Sequence, residues 1–132
     1  MAIKLFEFER SALTQPSPAL LHYAQEAAKV HKDGQSDDRR ADARRSWAVP
    51  VLAMPVDEKL RACGEPFLAV SRDISLGGIA MYHTAEPSSR FLALEIDDPW
   101  GGKLRVLLNS LRCRKVDSFV EIAGKFVMKL DG

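Results

Sequence analysis

Phe67-Leu68-Ala69-Val70-Ser71-Arg72-Asp73-Ile74-Ser75-Leu76-Gly77-Gly78-Ile79-Ala80-Met81-Tyr82-His83 is the stretch on which the fold reading turns. Two short apolar runs, Phe67–Asp73 and Gly78–His83, read as strands. Leu76-Gly77-Gly78 between them is a turn signal, because paired glycines tolerate backbone angles that other residues avoid. The unit is therefore a tight hairpin, and its neighbours extend the same pattern in both directions.

From Trp47 onward the hydrophobic period moves toward two, and β-branched and aromatic residues become frequent. Further strands are expected near Trp47–Val56, Phe91–Ile96, Leu104–Val116 and Phe119–Leu130. The turns between strands fall at Cys63-Gly64-Glu65-Pro66, Glu86-Pro87-Ser88-Ser89 and Asp97-Asp98-Pro99-Trp100-Gly101-Gly102. Short strands at this spacing point to a mainly β chain, a small antiparallel barrel or sandwich. Pro50 and Pro55 within the first strand call for an edge position or a bulge, since proline cannot donate to a ladder.

Upstream the pattern is helical. Ser17 followed by Pro18 reads as an N-cap with proline at the first helical position. Leu20, Ala24, Ala27 and Ala28 share one face, and Gly34 is a natural stop. The apolar side is narrow and alanine-rich, which predicts packing against a partner element. Before it, Ile3, Leu5, Phe6 and Phe8 read as a short strand or a docked arm. Glu7 and Glu9 interrupt the apolar run that an export signal would need.

The 132 residues support one domain with a short appendage, and 46% hydrophobic with 28% charged residues is an ordinary globular balance. No apolar run is long enough to span a bilayer, so no membrane insertion is expected and the expected location is the cytoplasm. Cys63 and Cys113, fifty positions apart, read as two reduced thiols. A formal net charge of +1 argues against a partner as large as a nucleic-acid polymer. His22, His31 and His83 lack ligands at metal spacing, and neither a nucleophile elbow nor a phosphate loop is present; no cofactor, metal or catalytic residue is expected.

Positive charge is instead local. Arg39, Arg40, Arg44 and Arg45 sit among aspartates in Asp37–Arg45, where the helical part gives way to strands. Taken alone, the cluster also describes a solvated linker or a frayed helix end. Arginine is nevertheless the side chain suited to bidentate work on phosphates and on the O6/N7 edge of guanine. In the hairpin turn, Asp73 can accept from the N1–H and N2–H₂ groups of guanine, Ser75 can offer its hydroxyl, and Gly77 and Gly78 allow close backbone approach. The plainer reading of the same residues is a β-turn held by Asp73 and Ser75. Trp47, close to the arginines, reads as a core residue that could otherwise stack on a base; Trp100 reads as a turn residue.

Together, Arg40-x-x-x-Arg44 preceded by Arg39, and Asp73-x-Ser75-x-x-Gly78 some thirty residues later, resemble the motif pair of PilZ domains. The resemblance runs from about Asp37 to the C-terminus, and Val120–Val127 is similar to the glycine-then-phenylalanine strand of such domains, at unusual spacing. It implies a six-stranded antiparallel PilZ-type barrel over residues 37–132, with residues 1–36 as an N-terminal extension carrying the helix. It also implies a cytoplasmic, non-enzymatic receptor for cyclic di-GMP. Arg40 and Arg44 would take phosphate and guanine edges, Asp73, Ser75, Gly77 and Gly78 would hold a guanine, and Arg39 suggests two intercalated ligand molecules. Such receptors regulate a protein partner in motility, pilus function, attachment or exopolysaccharide production. The extension is a candidate for packing on the barrel, docking that partner or forming a homodimer. The alternative is a PilZ-like structural adaptor that binds no ligand.

Overall fold

The computed structural model describes residues 13–33, 45, 46, 48–98 and 102–130. One helix, α1 (Pro18–Asp33), precedes β1 (Arg45–Ser46), β2 (Pro50–Val56), β3 (Phe67–Ile74), β4 (Gly78–His83), β5 (Phe91–Asp98), β6 (Gly102–Val116) and β7 (Phe119–Lys129). The order β3-β2-β5-β6-β7-β4 closes on itself through β3–β4, and every pairing is antiparallel. The expected six-stranded barrel is therefore present, with β1 as a two-residue addition lying along β3.

The expected first strand begins two residues earlier than Trp47 and is broken. Ser46 lies opposite Asp73 and Pro50 opposite Val70, four residue steps against three. Ser71 bridges the irregularity: its N–H donates to the Val49 carbonyl at 2.9 Å, and its hydroxyl accepts from the Val49 N–H at 3.1 Å. Pro50 thus opens β2 at a bulge, as its missing donor requires. The edge alternative does not hold, since β2 lies between β3 and β5. Pro55 sits past the last β3 pairing, Ala53 with Phe67, so its missing N–H disturbs no β3 ladder.

Inward-facing residues fill the barrel, among them Ile74, Ile79, Met81, Leu94, Leu108 and Ile122. The outer face of β3 and β4 is covered by α1. The Ser17 hydroxyl accepts from the Leu20 N–H at 3.1 Å, which confirms the expected N-cap. Leu20, Ala24 and Ala28 are buried, and the small alanines let the helix approach Val70 and Tyr82. Tyr23 meets Tyr82 edge-on at 5.1 Å and Phe119 at a tilt at 5.1 Å. Burial, and then its hydrogen bond to Asp117, push the Tyr23 phenol up to about 12. The helix is thereby tied to both the β3–β4 face and the β6–β7 turn.

Ile3, Leu5, Phe6, Phe8, Gly34, Arg39, Arg40, Arg44, Trp47, Trp100 and Gly101 lie outside the described residues.

Candidate functional site

The β3–β4 hairpin carries the Asp-x-Ser-x-x-Gly turn. Between Ser71–Met81 and Asp73–Ala80 the register shifts, making Arg72 an extra residue in β3. Such a bulge re-aims side chains. Here it brings Arg72 and Asp73 together on the outer face, with the Arg72 Nε donating to Asp73 Oδ2 at 2.7 Å. Asp73 has no exposed surface.

Ser75, also fully buried, builds the turn. Its Oγ accepts from the N–H groups of Gly77 and Gly78, both at 3.2 Å, and its own N–H donates to the Gly78 carbonyl at 2.9 Å. The plainer turn reading is thus realised for Ser75. The Gly77 carbonyl accepts from Phe126 at 2.9 Å, fastening the turn to β7. Leu76, at the tip, is 77% exposed.

Gly78 is glycine for a different reason than a turn conformation. Its φ is outside the left-handed range, and a Cβ there would stand 2.3 Å from the Gly124 carbonyl oxygen. Gly124 is equally constrained, since its Cβ would meet the Asn109 carbonyl oxygen at 2.2 Å. The two glycines allow β4, β7 and β6 to come together below the turn. They give the glycine of the closing Gly124–Phe126 strand a packing role that its sequence pattern only hinted at.

A second set of residues extends the site across the barrel. Arg72 Nη1 donates to Glu121 Oε2 at 3.0 Å and reaches the Tyr82 hydroxyl at 3.4 Å. Glu121, only 2% exposed, also accepts from Arg112 and Arg114. Burial by itself lowers the pKa of Arg72, but its bonds to Asp73 and Tyr82 outweigh burial and raise it further. The guanidinium is a permanent charge. Sequence reasoning quoted Arg72 without assigning it a role and passed over Glu121, Arg112 and Arg114. A signal existed: a two-residue turn at Asp117-Ser118 sets Arg114 opposite Glu121, and period two puts Arg112 on the same face.

The arginine cluster Arg39, Arg40 and Arg44 lies outside the described residues. What is fixed is where the chain goes next. Arg45 lies opposite Ile74 and Ser46 opposite Asp73, so the segment following the cluster is laid directly along the site strand.

A cavity of about 820 Å³ lies elsewhere, between residues 13–20 and the ends of β2, β3 and β4. Its described lining is largely apolar, including Leu13, Leu20, Met54, Phe67 and His83, with no arginine or lysine among the described residues. His83 stacks on Phe67 at 4.2 Å, and its Nδ1 is buried without a partner among the described residues. Burial lowers its pKa, with a hydrogen bond to the Leu68 backbone opposing the shift. Among the described residues no group of three or more His, Cys, Asp or Glu could hold a metal ion, and no helix is long and apolar enough to cross a membrane.

No known family model matches the chain, and no curated protein does. Solved structures do. An inhibitor of motility from Bacillus subtilis (MotI/DgrA) is 18% identical with a TM-score of 0.53, the match covering 70% of this chain and 44% of that one. This chain thus spans less than half the length of that protein. The PilZ domain of YcgR from Escherichia coli, solved with cyclic di-GMP, is 18% identical over 68% of this chain and 79% of that one, with a TM-score of 0.47. MrkH, a cyclic di-GMP-dependent transcription regulatory factor, is 19% identical over 68% and 44%, with a TM-score of 0.43. At these identities the likeness is one of fold, and that fold is a PilZ-like barrel.

Proposed function

We propose that this chain is a non-catalytic receptor for cyclic di-GMP, with residues 37–132 as the binding barrel and residues 1–36 as an extension that answers to the ligand. The observation that carries the reading is the register of β1: the strand that follows Arg39, Arg40 and Arg44 is paired with Ile74 and Asp73 of the Asp-x-Ser-x-x-Gly turn. The residue directly after Arg44 therefore lies beside the turn strand, which supports a reading in which the two motifs share one surface. In this reading the arginine segment supplies forked donors to phosphate and guanine, Asp73 accepts from a guanine, and the Ser75 turn presents Gly77 and Gly78 to the ligand. Arg39 would allow a second, intercalated ligand molecule.

Binding at Asp73 has a structural consequence. Asp73 bonds Arg72, and Arg72 reaches Tyr82, which Tyr23 of α1 touches edge-on. A ligand that competes for Arg72 or Asp73 would loosen the helix and present a changed surface to a protein partner. The regulated process would belong to motility, pilus function, attachment or exopolysaccharide control, in the cytoplasm, with a homodimer as one form of the response.

One observation favours a second reading, a PilZ-like adaptor that binds no nucleotide. Asp73 is fully buried and already bonded to Arg72, so a ligand must displace what covers it.

Titration calorimetry with cyclic di-GMP, beside GTP and cyclic di-AMP, separates the two. Saturable binding selective for cyclic di-GMP, at one or two molecules per chain, supports the receptor. No heat at high protein concentration supports the adaptor.

A further inference from the structure

We propose that Arg112 and Arg114 of β6, with Arg72, form a ready-built phosphate subsite on the face that carries Asp73, a set of residues additional to the arginine motif. The inference deepens the receptor reading and rests on it. Asp73 lies opposite Ala80, Ala80 opposite Ala123, and Ala123 opposite Arg112, a single row across β3, β4, β7 and β6. With neighbouring strands about 4.8 Å apart, the row spans ~14 Å between its charged ends. Its middle carries only methyl side chains, Ala80 and Ala123, and the Arg72 guanidinium reaches across it from Asp73 to Glu121. The adjoining row, Tyr82, Glu121 and Arg114, walls one side.

Glu121 fixes the arginines. Its Oε2 accepts from Arg72 Nη1 at 3.0 Å, and its Oε1 accepts from Arg112 Nη2 at 2.7 Å and Arg114 Nε at 3.2 Å. Each guanidinium has five N–H donors, and Glu121 engages one nitrogen each of Arg112 and Arg114. The remainder of both forks faces solvent, with the side chains 49% and 56% exposed. Among the described residues, Arg72, Arg112 and Arg114 against the carboxylates of Asp73 and Glu121 leave one positive charge in excess. Three guanidiniums gathered around Glu121, with only Arg72 shared by Asp73, repel one another, and a further anion relieves that repulsion. Because Glu121 already holds the forks in place, little side-chain freedom is lost when a phosphodiester binds.

The test titrates the full chain with cyclic di-GMP by calorimetry, comparing wild type with the double variants Arg112→Ala/Arg114→Ala and Arg112→Lys/Arg114→Lys. Lys59→Ala, on an exposed turn, serves as the control. Both arginines are half exposed, so the variants should fold, which their melting temperatures check. The proposal expects affinity at least tenfold weaker for the alanine pair, an intermediate loss for the lysine pair, which keeps charge but not the fork, and no change for the control. Wild-type binding with the alanine pair within twofold overturns the subsite and leaves the receptor standing. Absence of wild-type binding removes the receptor reading and the subsite together.

Discussion

Replacing Gly78 by alanine tests whether the β3–β4 turn is held by close packing rather than by a glycine conformation. The added Cβ would lie 2.3 Å from the Gly124 carbonyl oxygen, 3.3 Å from its carbon and 3.4 Å from the Lys125 Cα. Cβ atoms essentially never come within 3.0 Å of another heavy atom, so β4 and β7 must separate by at least 0.7 Å, the difference between 3.0 and 2.3 Å. All three contacts are backbone, and Gly124 cannot retreat freely because it is itself packed against Asn109. Overpacking of this kind costs about 1–3 kcal/mol, and a site without flexible neighbours belongs near the top of that range. The conformational advantage of alanine over glycine in a strand returns about 0.5–1 kcal/mol. The net loss is ~2 kcal/mol, a fall in melting temperature of about 6–10 °C for a chain of this length. Thermal unfolding followed by circular dichroism measures it. A variant that melts within about 2 °C of wild type would show that the strands part at little cost, and the packing argument would fail.

Ser75→Ala removes the acceptor for two backbone N–H groups in a buried turn; the expected loss is about 1–2 kcal/mol by denaturant unfolding, and a loss below about 0.5 kcal/mol would mean that the turn finds other partners. Ser17→Ala should cost about 1 kcal/mol, with faster amide exchange confined to the first turns of α1; unchanged exchange there would deny the cap its role. His83 predicts a pH dependence. Its pKa in the fold lies below the ordinary value of 6.5, so the unfolded chain takes up the proton first. The stability contribution is complete above about pH 6.5, declines as pH falls from there toward the depressed native pKa, and is flat below it. His83→Phe, which keeps a ring against Phe67, should reduce the fall in melting temperature between about pH 7.5 and 5.5; an undiminished fall would assign it to other groups.

The strands were legible because their signals are local: period-two patterning and glycine- or proline-marked turns set six strands to within a few residues of their observed ends. The helix was legible from Ser17, Pro18 and the spacing of Leu20, Ala24 and Ala28. The break between Ser46 and Pro50 was less so, because it depends on the Ser71 hydroxyl reaching Val49 across the ladder, a partner 22 residues away. The same limit applies at the site. The Asp73–Gly78 turn could be read from adjacent residues, whereas the role of Gly78 comes from Gly124, and the charge network on Glu121 joins residues of β3, β6 and β7. Arg72 makes the point most clearly. It stood immediately before the motif but acquired a role only once the bulge turned it toward Glu121, 49 positions away.

The most direct test of the receptor reading is a ¹H–¹⁵N correlation spectrum of the full chain recorded during titration with cyclic di-GMP. The account predicts saturable shifts centred on Asp73–Gly78, Ala123–Lys125 and Arg112–Arg114, with a weaker response in α1 around Tyr23. A spectrum unchanged at saturating nucleotide, or shifts confined to the cavity around Phe67 and His83, would contradict it.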